Sequence, residues 1–369
     1  MKQKELKLTG KNVISIDIGQ HTTKMVAGKP GKDKLTVEHA VTIPTPKDSC
    51  EKGQITNFET LKQSIGSKLN ELKIRSRMAL CSVENGDIIT REISVPTASE
   101  EEIANMLQFE ITQYMPIELN DYLVQSKILD EFVEEGVSKT RVLVTAVPRE
   151  LGRSYYDLLH SLGFHPAVMD IQSNAVDKLI HADFFFNNEK DMKDKVVAVI
   201  DMGYNHMNVI LFEQGQYKFN RFMNLGARNI DYNLANFMDI SYEEAEKYKS
   251  EIDNINDDLD LPEEGIDPED ERARKMRVLN IIRNTVDGWT DDIERVFRYY
   301  LTRGTRNAID VIYIYGGTAS MKGLDQYLYD AFNIPVKKVD NISNVQVSNF
   351  NGSDSMSEYV NALGTMIRR

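Results

Sequence analysis

Two segments of the chain share one pattern of apolar and polar positions. From Asn12 the sequence reads NVISIDIGQHTTKMVAGKPGKDKLTVEHAVTI, which contains an apolar run, a polar Asp-x-Gly turn, a second run, a Gly/Pro turn and a third, alternating run. From Asp194 the same order returns in DKVVAVIDMGYNHMNVILFEQGQYKFNRFMNL. Short apolar runs bounded by turn residues predict strands, so each segment predicts a meander of hairpins. Two copies of one unit predict a duplicated fold with two similar lobes.

Alternating helical and strand patterns follow each meander, which is typical of an α/β fold. After the first meander they predict helices near 57–72, 149–163 and 172–183, and strands at 77–83 and 141–147. After the second they predict helices at 227–238, within 241–303 and at 320–332, and a strand at 309–315. A last helix is predicted at 357–369.

An additional segment lies between the strands of the first lobe. Residues 86–96 alternate like a strand, and residues 99–116 begin with a Ser N-cap and acidic residues and carry one apolar helix face. We interpret this segment as a small αβ subdomain inserted into lobe one. The predicted units are lobe one (1–175) with the inserted subdomain at about 84–162, lobe two (176–345) with a helical part at about 227–303, and a C-terminal helix (346–369) returning to lobe one.

The charge balance excludes some classes of partner. The chain carries 44 basic and 57 acidic residues, a net charge of −13, without a clustered Lys/Arg stripe, which argues against nucleic acid as the main partner. Residues 253–271 hold ten acidic residues and no basic one, which predicts a solvated insertion or a contact for a basic partner. The apolar runs are too short to span a bilayer, and the first residues lack the apolar core of a signal peptide, so we expect a cytosolic chain without direct membrane insertion. In that reducing compartment Cys50 and Cys81 are expected to be buried free thiols.

The two Asp-x-Gly turns are the first candidates for chemistry. Asp17 and Asp201 each follow an apolar strand, and the following glycines, Gly19 and Gly203, allow backbone N–H groups to approach phosphate oxygens. Mg²⁺ needs only one or two nearby carboxylates, a role that the two aspartates can share across a cleft. Two ordinary hairpin turns capped by Asp remain the alternative. Additional donors after the first turn are the side chains of Thr22, Thr23 and Lys24.

A third turn rich in glycine follows the apolar strand at 309–315. Gly316, Gly317 and Thr318 lie between this strand and the next predicted helix. Such a turn lets a flat ligand or a phosphate approach the backbone and the helix N-terminus. Glycine pairs also simply end strands, so this turn supports a ligand site only together with the other two.

The order of these parts resembles the actin-like ATPase superfamily, which includes actin, the heat-shock chaperones and the sugar kinases. Asp17–Lys24 is similar to the first phosphate motif, Asp201–Met207 to the second, Tyr315–Ala319 to the adenosine motif, and the helices at 172–183 and 357–367 to the two connecting helices. The resemblance implies two duplicated lobes around a cleft that holds ATP and Mg²⁺, with metal binding by Asp17 and Asp201. The cofactor residues implied are Gly19, Gln20, Thr22, Thr23, Lys24, Gly203, Asn205, Gly226, Gly316, Gly317 and Thr318.

Three further residues follow from the same resemblance. Gln172 matches a position at which the superfamily places a residue that orients the attacking water, which makes Gln172, Asp17 and Asp201 the catalytic candidates; a helix-capping role for Gln172 is the alternative. Glu244 and Lys247 are candidates for the adenosine side, although a surface ion pair at i, i+3 also explains them.

Departures from the superfamily pattern concern the phosphate turns. Gln20 and His21 stand where members often carry small hydroxyl residues, and Gly226-Ala227 stands where they often carry two glycines. We therefore expect ATP hydrolysis to be very slow at most.

The inserted segment is similar to that of the cell-division FtsA family and, more closely, of the PilM family of type IV pilus assembly. Residues 93–121, ISVPTASEEEIANMLQFEITQYMPIELND, and 239–249, DISYEEAEKYK, carry the likeness to PilM. The resemblance implies an ATP-binding scaffold at the inner face of the cell membrane that binds the cytoplasmic N-terminal segment of a PilN-like membrane protein and acts with other pilus machinery. An FtsA-like filament-forming division protein and, less favoured, a sugar kinase are the alternatives.

The partner groove is expected on the inserted subdomain. Its candidate residues have an equally good interpretation as subdomain core. They are Phe109, Tyr114, Met115 and Pro116.

Overall fold

Strand β1 (Val13–Ile18) is buried on both faces, and the first lobe is built around it. The structure is a computed structural model that describes residues 7–257, 270–302, 306–351 and 355–368, with backbone only at 108–110. The remaining elements of lobe one and its insertion are β2 (Thr22–Pro30), β3 (Leu35–Pro44), β4 (Cys50–Glu51), β5 (Gln54–Ile55), α1 (Phe58–Glu71), β6 (Met78–Val83), β7 (Ile89–Pro96), α2 (Glu100–Tyr114), β8 (Tyr122–Glu134), β9 (Val137–Pro148), α3 (Arg149–Ser161), β10 (His165–Ile171) and α4 (Gln172–His181).

Lobe two begins at β11 (Val196–Met202), which occupies the place of β1 in a second sheet. Its other elements are β12 (Met207–Glu213), β13 (Gln216–Met223), α5 (Ala227–Met238), α6 (Tyr242–Ser250), α7 (Glu271–Leu301), β14 (Val311–Tyr315), α8 (Leu324–Phe332) and β15 (Val336–Lys338). The chain then returns to lobe one through β16 (Val345–Val347), β17 (Phe350–Asn351) and α9 (Val360–Met366).

The two sheets share one five-stranded topology, to which lobe one adds two short strands. Lobe one has the strand order β10-β6-β1-β2-β3-β16, and β17 also pairs with β3; lobe two has the order β13-β12-β11-β14-β15. In each sheet the meander is antiparallel and the next strands add in parallel on the other side of its first strand. The predicted duplication is confirmed, because β1-β2-β3 and β11-β12-β13 form equivalent meanders.

The central strands are apolar on both faces because each sheet is covered on both sides. Val13 of β1 and Val197 of β11 face a core between the two sheets, which is filled by α4 and α9. Ile14 packs on the outer side with α1 and α3, and Ala198 packs with the helices of lobe two. Continuous apolar runs are the pattern expected of strands buried in this way.

Helices α4 and α9 cross at Gly364, between the two lobes. A Cβ atom at Gly364 would lie 2.2 Å from the backbone oxygen of Ala175. The position therefore requires glycine, because only a residue without a side chain lets the two backbones approach this closely.

The inserted subdomain consists of a three-stranded sheet, ordered β7-β9-β8, with α2 packed on one face. Helix α2 begins at Ser99, which forms a capping box with Glu102. The subdomain ends at Pro148, earlier than the expected 162, because the apolar face of α3 packs against the core of lobe one. Helix α3 therefore belongs to lobe one.

Several features differ from or extend the sequence prediction. Strands β8 and β10 were not predicted, and α7 is a single helix of 31 residues. Cys50 and Cys81 are buried free thiols, as expected. Most of the acidic segment, residues 258–269, lies outside the described residues. Within the described ranges, no helix is both long and apolar enough to cross a membrane.

Candidate functional site

The two Asp-x-Gly turns have the same geometry. The Gly19 N–H donates to the Thr22 carbonyl at 3.0 Å, and the Gly203 N–H donates to the His206 carbonyl at 3.0 Å. A Cβ atom would lie 2.8 Å from the carbonyl oxygen at the first turn and 2.7 Å from it at the second. Glycine is thus required at both positions by the close approach of a backbone oxygen. The turns follow β1 and β11, so the duplicated sheets place them at equivalent edges.

Asp17 and Asp201 are both buried at these edges. Ser82 Oγ donates to Asp17 Oδ1 at 2.9 Å, and Asn361 Nδ2 donates to Asp201 Oδ2 at 2.8 Å. Burial raises the pKa of Asp201 to about 7, the Asp17 charge adds to this rise, and the Asn361 hydrogen bond opposes it. The site therefore holds negative charge that a cation would stabilise.

Glu84 is a third buried carboxylate beside the two turns, and the sequence does not predict it. It follows β6, the neighbour of β1, and its Oε2 accepts from Asn208 Nδ2 of β12 at 3.0 Å. Burial raises its pKa to about 8, and the charges of Asp201 and Asp17 contribute. No motif marks Glu84 in the sequence; its only signal is a carboxylate directly after an apolar strand.

The third glycine turn lies directly against the second Asp-x-Gly turn. Gly316 has a φ of +95°, and a Cβ atom there would lie 2.6 Å from Asp201 Oδ1. Thr318 Oγ1 donates to the Gly203 carbonyl at 2.8 Å. By contrast, a Cβ atom placed on Gly317 would have no neighbouring atom within 4 Å among the described residues, so the backbone is open there. The structure thus brings the second and third sequence motifs into one site.

Two polar side chains at the turns form no hydrogen bond within the described part of the chain. The side-chain amide of Asn205 has both Oδ1 and Nδ2 buried without a hydrogen bond. Lys24 also lies at the site, since its charge interacts with Asp201 and its Nζ would lie 3.4 Å from a Cβ at Gly19. A buried amide without a partner is costly, so Asn205 fits a site that a polar ligand completes, and the positive charge of Lys24 favours an anionic one.

Gln172 is the first residue of α4 and lies at the interface of the lobes. Its Oε1 is 3.2 Å from His206 Nε2, and an amide oxygen can only accept, so the imidazole donates. Burial lowers the pKa of His206 to about 4, which keeps the ring neutral. His206 therefore fixes the orientation of the Gln172 amide, a contact that the sequence did not predict.

The other predicted turn residues have mixed positions. Thr23 is fully buried and its Oγ1 lies 2.8 Å from Thr45 Oγ1, so it supports the first turn from behind, while Thr22 is partly exposed. Gln20 Oε1 accepts from the Lys52 N–H at 3.4 Å. At Gly226, a Cβ atom would lie 2.3 Å from the Tyr204 carbonyl, where α5 begins beneath the second turn.

Helix α6 turns other residues toward the second glycine turn than Glu244 and Lys247, the two that the sequence predicts for the adenosine side. Glu244 caps the helix, since its Oε2 accepts from the Ser241 N–H at 2.9 Å, and Lys247 is exposed. Glu246 instead lies 3.4 Å from Tyr204 of the second turn, and Lys249 is 5.9 Å from the Tyr204 ring centroid. The helix face toward the second turn therefore carries Glu246 and Lys249.

The predicted partner residues lie at the end of α2. Met115 is 1% exposed and belongs to the subdomain core, Tyr114 packs partly against that core, and Pro116 is exposed. The Phe109 side chain lies outside the described residues. Of the four, only Tyr114 and Pro116 are seen to reach the surface.

Residues 15–369 match the model of the family described as type IV pilus assembly protein PilM. The chain belongs to this family. A solved PilM-PilN type IV pilus biogenesis complex is similar to this PilM-family chain with a TM-score of 0.78 at 20% identity, covering 96% of this chain and 97% of that one. MreB5 of Spiroplasma citri bound to AMPPNP has a TM-score of 0.54 at 12% identity, covering 97% and 96%. These likenesses confirm the predicted actin-like ATPase fold.

FtsA of Bacillus subtilis (strain 168) is a more distant relative of this PilM-family chain. It is 22% identical over 263 residues, which are 65% of this chain. The match spans 57% of FtsA, so little more than half of that protein is represented here. The family match favours pilus assembly over the division-protein alternative.

The carboxylates of the site predict a pH-dependent stability of the PilM-family chain without nucleotide. The pKa values of Asp201 and Glu84 lie at about 7 and about 8, above the ordinary 3.8 and 4.5, so the folded state binds more protons than the unfolded state and stability falls as pH rises through this range. His206 acts oppositely, but only below its ordinary pKa of 6.5. We expect the melting temperature to fall by several degrees between about pH 6.5 and 8.5.

Calorimetric melting over this range tests the prediction, and Asp201→Asn should reduce the slope. The exposed Asp87→Asn is the control and should leave it unchanged. An unchanged slope in Asp201→Asn would contradict the assignment.

Proposed function

We propose that this PilM-family chain is a scaffold that binds ATP with Mg²⁺ between its lobes and a PilN-like peptide at its inserted subdomain. The observation that supports it most is the pair of equivalent glycine turns, one of which carries the unpartnered amide of Asn205. The fold is shared with MreB5, whose structure was solved with AMPPNP. The PilM structure of the same fold was solved as a complex with PilN.

Phosphate oxygens would be held by backbone N–H groups of the two turns and by Lys24. Asp17 and Asp201 would hold Mg²⁺ largely through water, since the described residues contain no group of three or more His, Cys, Asp or Glu side chains able to hold a metal ion. On the adenosine side, Gly317 leaves the backbone open, whereas Gly316 packs against Asp201. Glu246 and Lys249 are better placed there than Glu244 and Lys247.

Slow hydrolysis is part of this proposal. Gln172, oriented by His206, would position the attacking water, because its amide nitrogen is free to bind water while its oxygen accepts from the imidazole. The departures at Gln20, His21 and Ala227 lie in the turns that must align the phosphates. Turnover far below the ~10 s⁻¹ typical of enzymes is expected, as suits a scaffold rather than a metabolic kinase.

The proposed peptide site is the junction between the inserted subdomain and lobe one. Among the described residues, β8 is an edge strand of the subdomain sheet, and the backbone groups on its outer edge can pair with an extended peptide. Leu123 of β8 faces lobe one, since its Cδ1 would lie 3.0 Å from a Cβ placed on Gly152 of α3. Leu119 and Tyr156 add exposed apolar surface on the neighbouring segments. These side chains would bind apolar residues of the peptide.

Charge would assist this encounter. Residues 97–136 hold ten acidic residues and one basic residue. A cytoplasmic segment next to a membrane span tends to be rich in Lys and Arg, so opposite charges would speed association. The chain would thereby be recruited to the inner face of the membrane by its protein partner.

Substitutions at two residues of β8 distinguish this proposed peptide site from the groove predicted at the end of α2. Leu123 is 37% exposed and faces lobe one, whereas Ile128 is 38% exposed and pairs with Val142 on the α2 face. We expect Leu123→Ser to weaken binding of a synthetic PilN-like N-terminal peptide at least ~10-fold, because a buried Leu contact contributes about 1.5–3 kcal/mol. Ile128→Ser should change it less than about 2-fold.

Fluorescence anisotropy with labelled peptide measures both variants, and the exposed Val133→Ser at the hairpin tip is a further control. The opposite order, with Ile128→Ser weakening binding more, would move the site to the α2 face and to Tyr114 and Pro116. Absence of any binding by the folded wild-type chain would overturn the peptide part of the proposal.

A further inference from the structure

The segment that leads into the inserted subdomain starts inside the cleft between the lobes. Residues 84–88, here called the connecting segment, join β6 of lobe one to β7 of the subdomain. Glu84 accepts from Asn208 of lobe two at 3.0 Å, and a Cβ at Gly86 would lie 3.4 Å from the Phe222 ring, also of lobe two. The connecting segment therefore contacts both lobes before it enters the subdomain.

The contact with lobe two continues through a buried set of polar side chains. Asn208 Oδ1 accepts from Asn220 Nδ2 at 3.1 Å, and Asn220 Oδ1 accepts from the Tyr217 hydroxyl at 2.7 Å. Asn208 and Glu84 are both buried, so breaking the bond between them would leave Asn208 Nδ2 and Glu84 Oε2 without this partner in a dry environment, although Glu84 Oε1 would keep the Asn85 N–H and Asn208 Oδ1 would keep Asn220. A shift of lobe two therefore either moves Glu84 with it or breaks the hydrogen bond between Glu84 and Asn208, which costs free energy.

A second contact joins the subdomain to the site through α4. Lys127 of β8 forms an ion pair with Asp177, whose side chain is 4% exposed. Five residues earlier on the same helix, Gln172 contacts His206 of the second glycine turn. The helix is rigid over this length, so a movement of the second glycine turn that shifts α4 also shifts the residue that holds the subdomain.

We propose that Glu84 is the positioning residue through which occupancy of the cleft sets the orientation of the inserted subdomain and its affinity for the peptide. The inference rests on the proposed function for the identity of the two ligands. A ligand held by both turns draws the lobes to one relative position, and Asn208 transmits this position to the connecting segment. Binding free energies are reciprocal, so the peptide must change the affinity for ATP by the same factor.

The test is a binding cycle with the full chain. Calorimetry measures the affinity for the PilN-like peptide with and without saturating ATP and Mg²⁺. We expect the two values to differ by about 5- to 50-fold in the wild type, the usual range for coupled sites. Glu84→Ala removes the contact with Asn208. In this variant the peptide affinities with and without ATP and Mg²⁺ should differ by less than about 2-fold, whatever their absolute values.

Asp87→Asn is the matched control, because it removes an exposed carboxylate from the same connecting segment and should keep the wild-type ratio. A peptide-independent readout is hydrogen exchange of the β7 amides, which should respond to ATP in the wild type and in Asp87→Asn but not in Glu84→Ala. Melting curves establish that each variant is folded.

The outcomes separate the two proposals. If ATP and peptide both bind but the wild-type ratio is one, or if Glu84→Ala keeps the wild-type ratio and the exchange response, the role of Glu84 is overturned and the proposed function stands. If the folded chain binds no ATP or no peptide, both are overturned.

Discussion

Asp201→Asn is expected to stabilise the protein and at the same time to remove most of the Mg²⁺ dependence of ATP binding. The variant keeps the shape of the side chain and a hydrogen-bond acceptor for Asn361, but it removes a buried carboxylate whose pKa is raised to about 7. At pH 8 the melting temperature should therefore rise by a few degrees. The affinity gained on adding Mg²⁺ should fall about 100-fold, because Asp201 would no longer offer charge to the cation.

Calorimetry with ATP in the presence of Mg²⁺ or of EDTA measures this effect. The matched control is Asp325→Asn, an exposed position on α8 of the same lobe, which should change neither quantity. Equal losses of affinity with and without Mg²⁺ would show that Asp201 only supports the turn. That result would remove the proposed metal role.

Gly364→Ala is expected to destabilise the whole protein by about 3 kcal/mol or more. Its Cβ would lie 2.2 Å from the backbone oxygen of Ala175, and neither helix can move without disturbing the core between the two sheets. Chemical unfolding followed by circular dichroism measures the change. A shift below about 1 kcal/mol would show that α4 and α9 can separate easily.

Gly288→Ala is the matched control. Gly288 lies within α7 with no atom within 4 Å of a Cβ, so alanine should stabilise the protein by up to about 1 kcal/mol through its better helix propensity. The same substitution is therefore expected to have opposite signs at two helical glycines. The neighbouring backbone, and not the helix itself, decides the sign.

The glycine turns could be predicted because the residues that form each turn are neighbours in the sequence. Asp17 and Gly19 follow an apolar strand within one short stretch, and the repeat at Asp201 and Gly203 showed that the turn was part of a duplicated unit. The inserted subdomain was also found, through the capping box of α2 and the alternation of β7. Its end was placed too late, since the amphipathic pattern of α3 does not say which core the helix joins.

Strand β8 shows why the edge of the subdomain was missed. Its 13 residues mix polar and apolar side chains without a regular pattern, because most of the side chains on both faces of the strand are exposed. Without a buried face, a strand has no strict alternation to detect. The surface proposed for the peptide therefore became visible only in the tertiary structure.

The two meanders, their glycine turns and the family motifs could be predicted from the sequence alone, because each depends on residues close together in the chain. Which distant side chains meet depends instead on how the two lobes pack together. Glu84 and Asn208 are separated by 124 positions, and Gln172 and His206 by 34, and both pairs meet only because two sheets close around α4 and α9. The tertiary structure also determines that α6 turns Glu246 and Lys249 toward the second turn, since two faces of one helix carry similar Glu and Lys residues and only packing against Tyr204 distinguishes them.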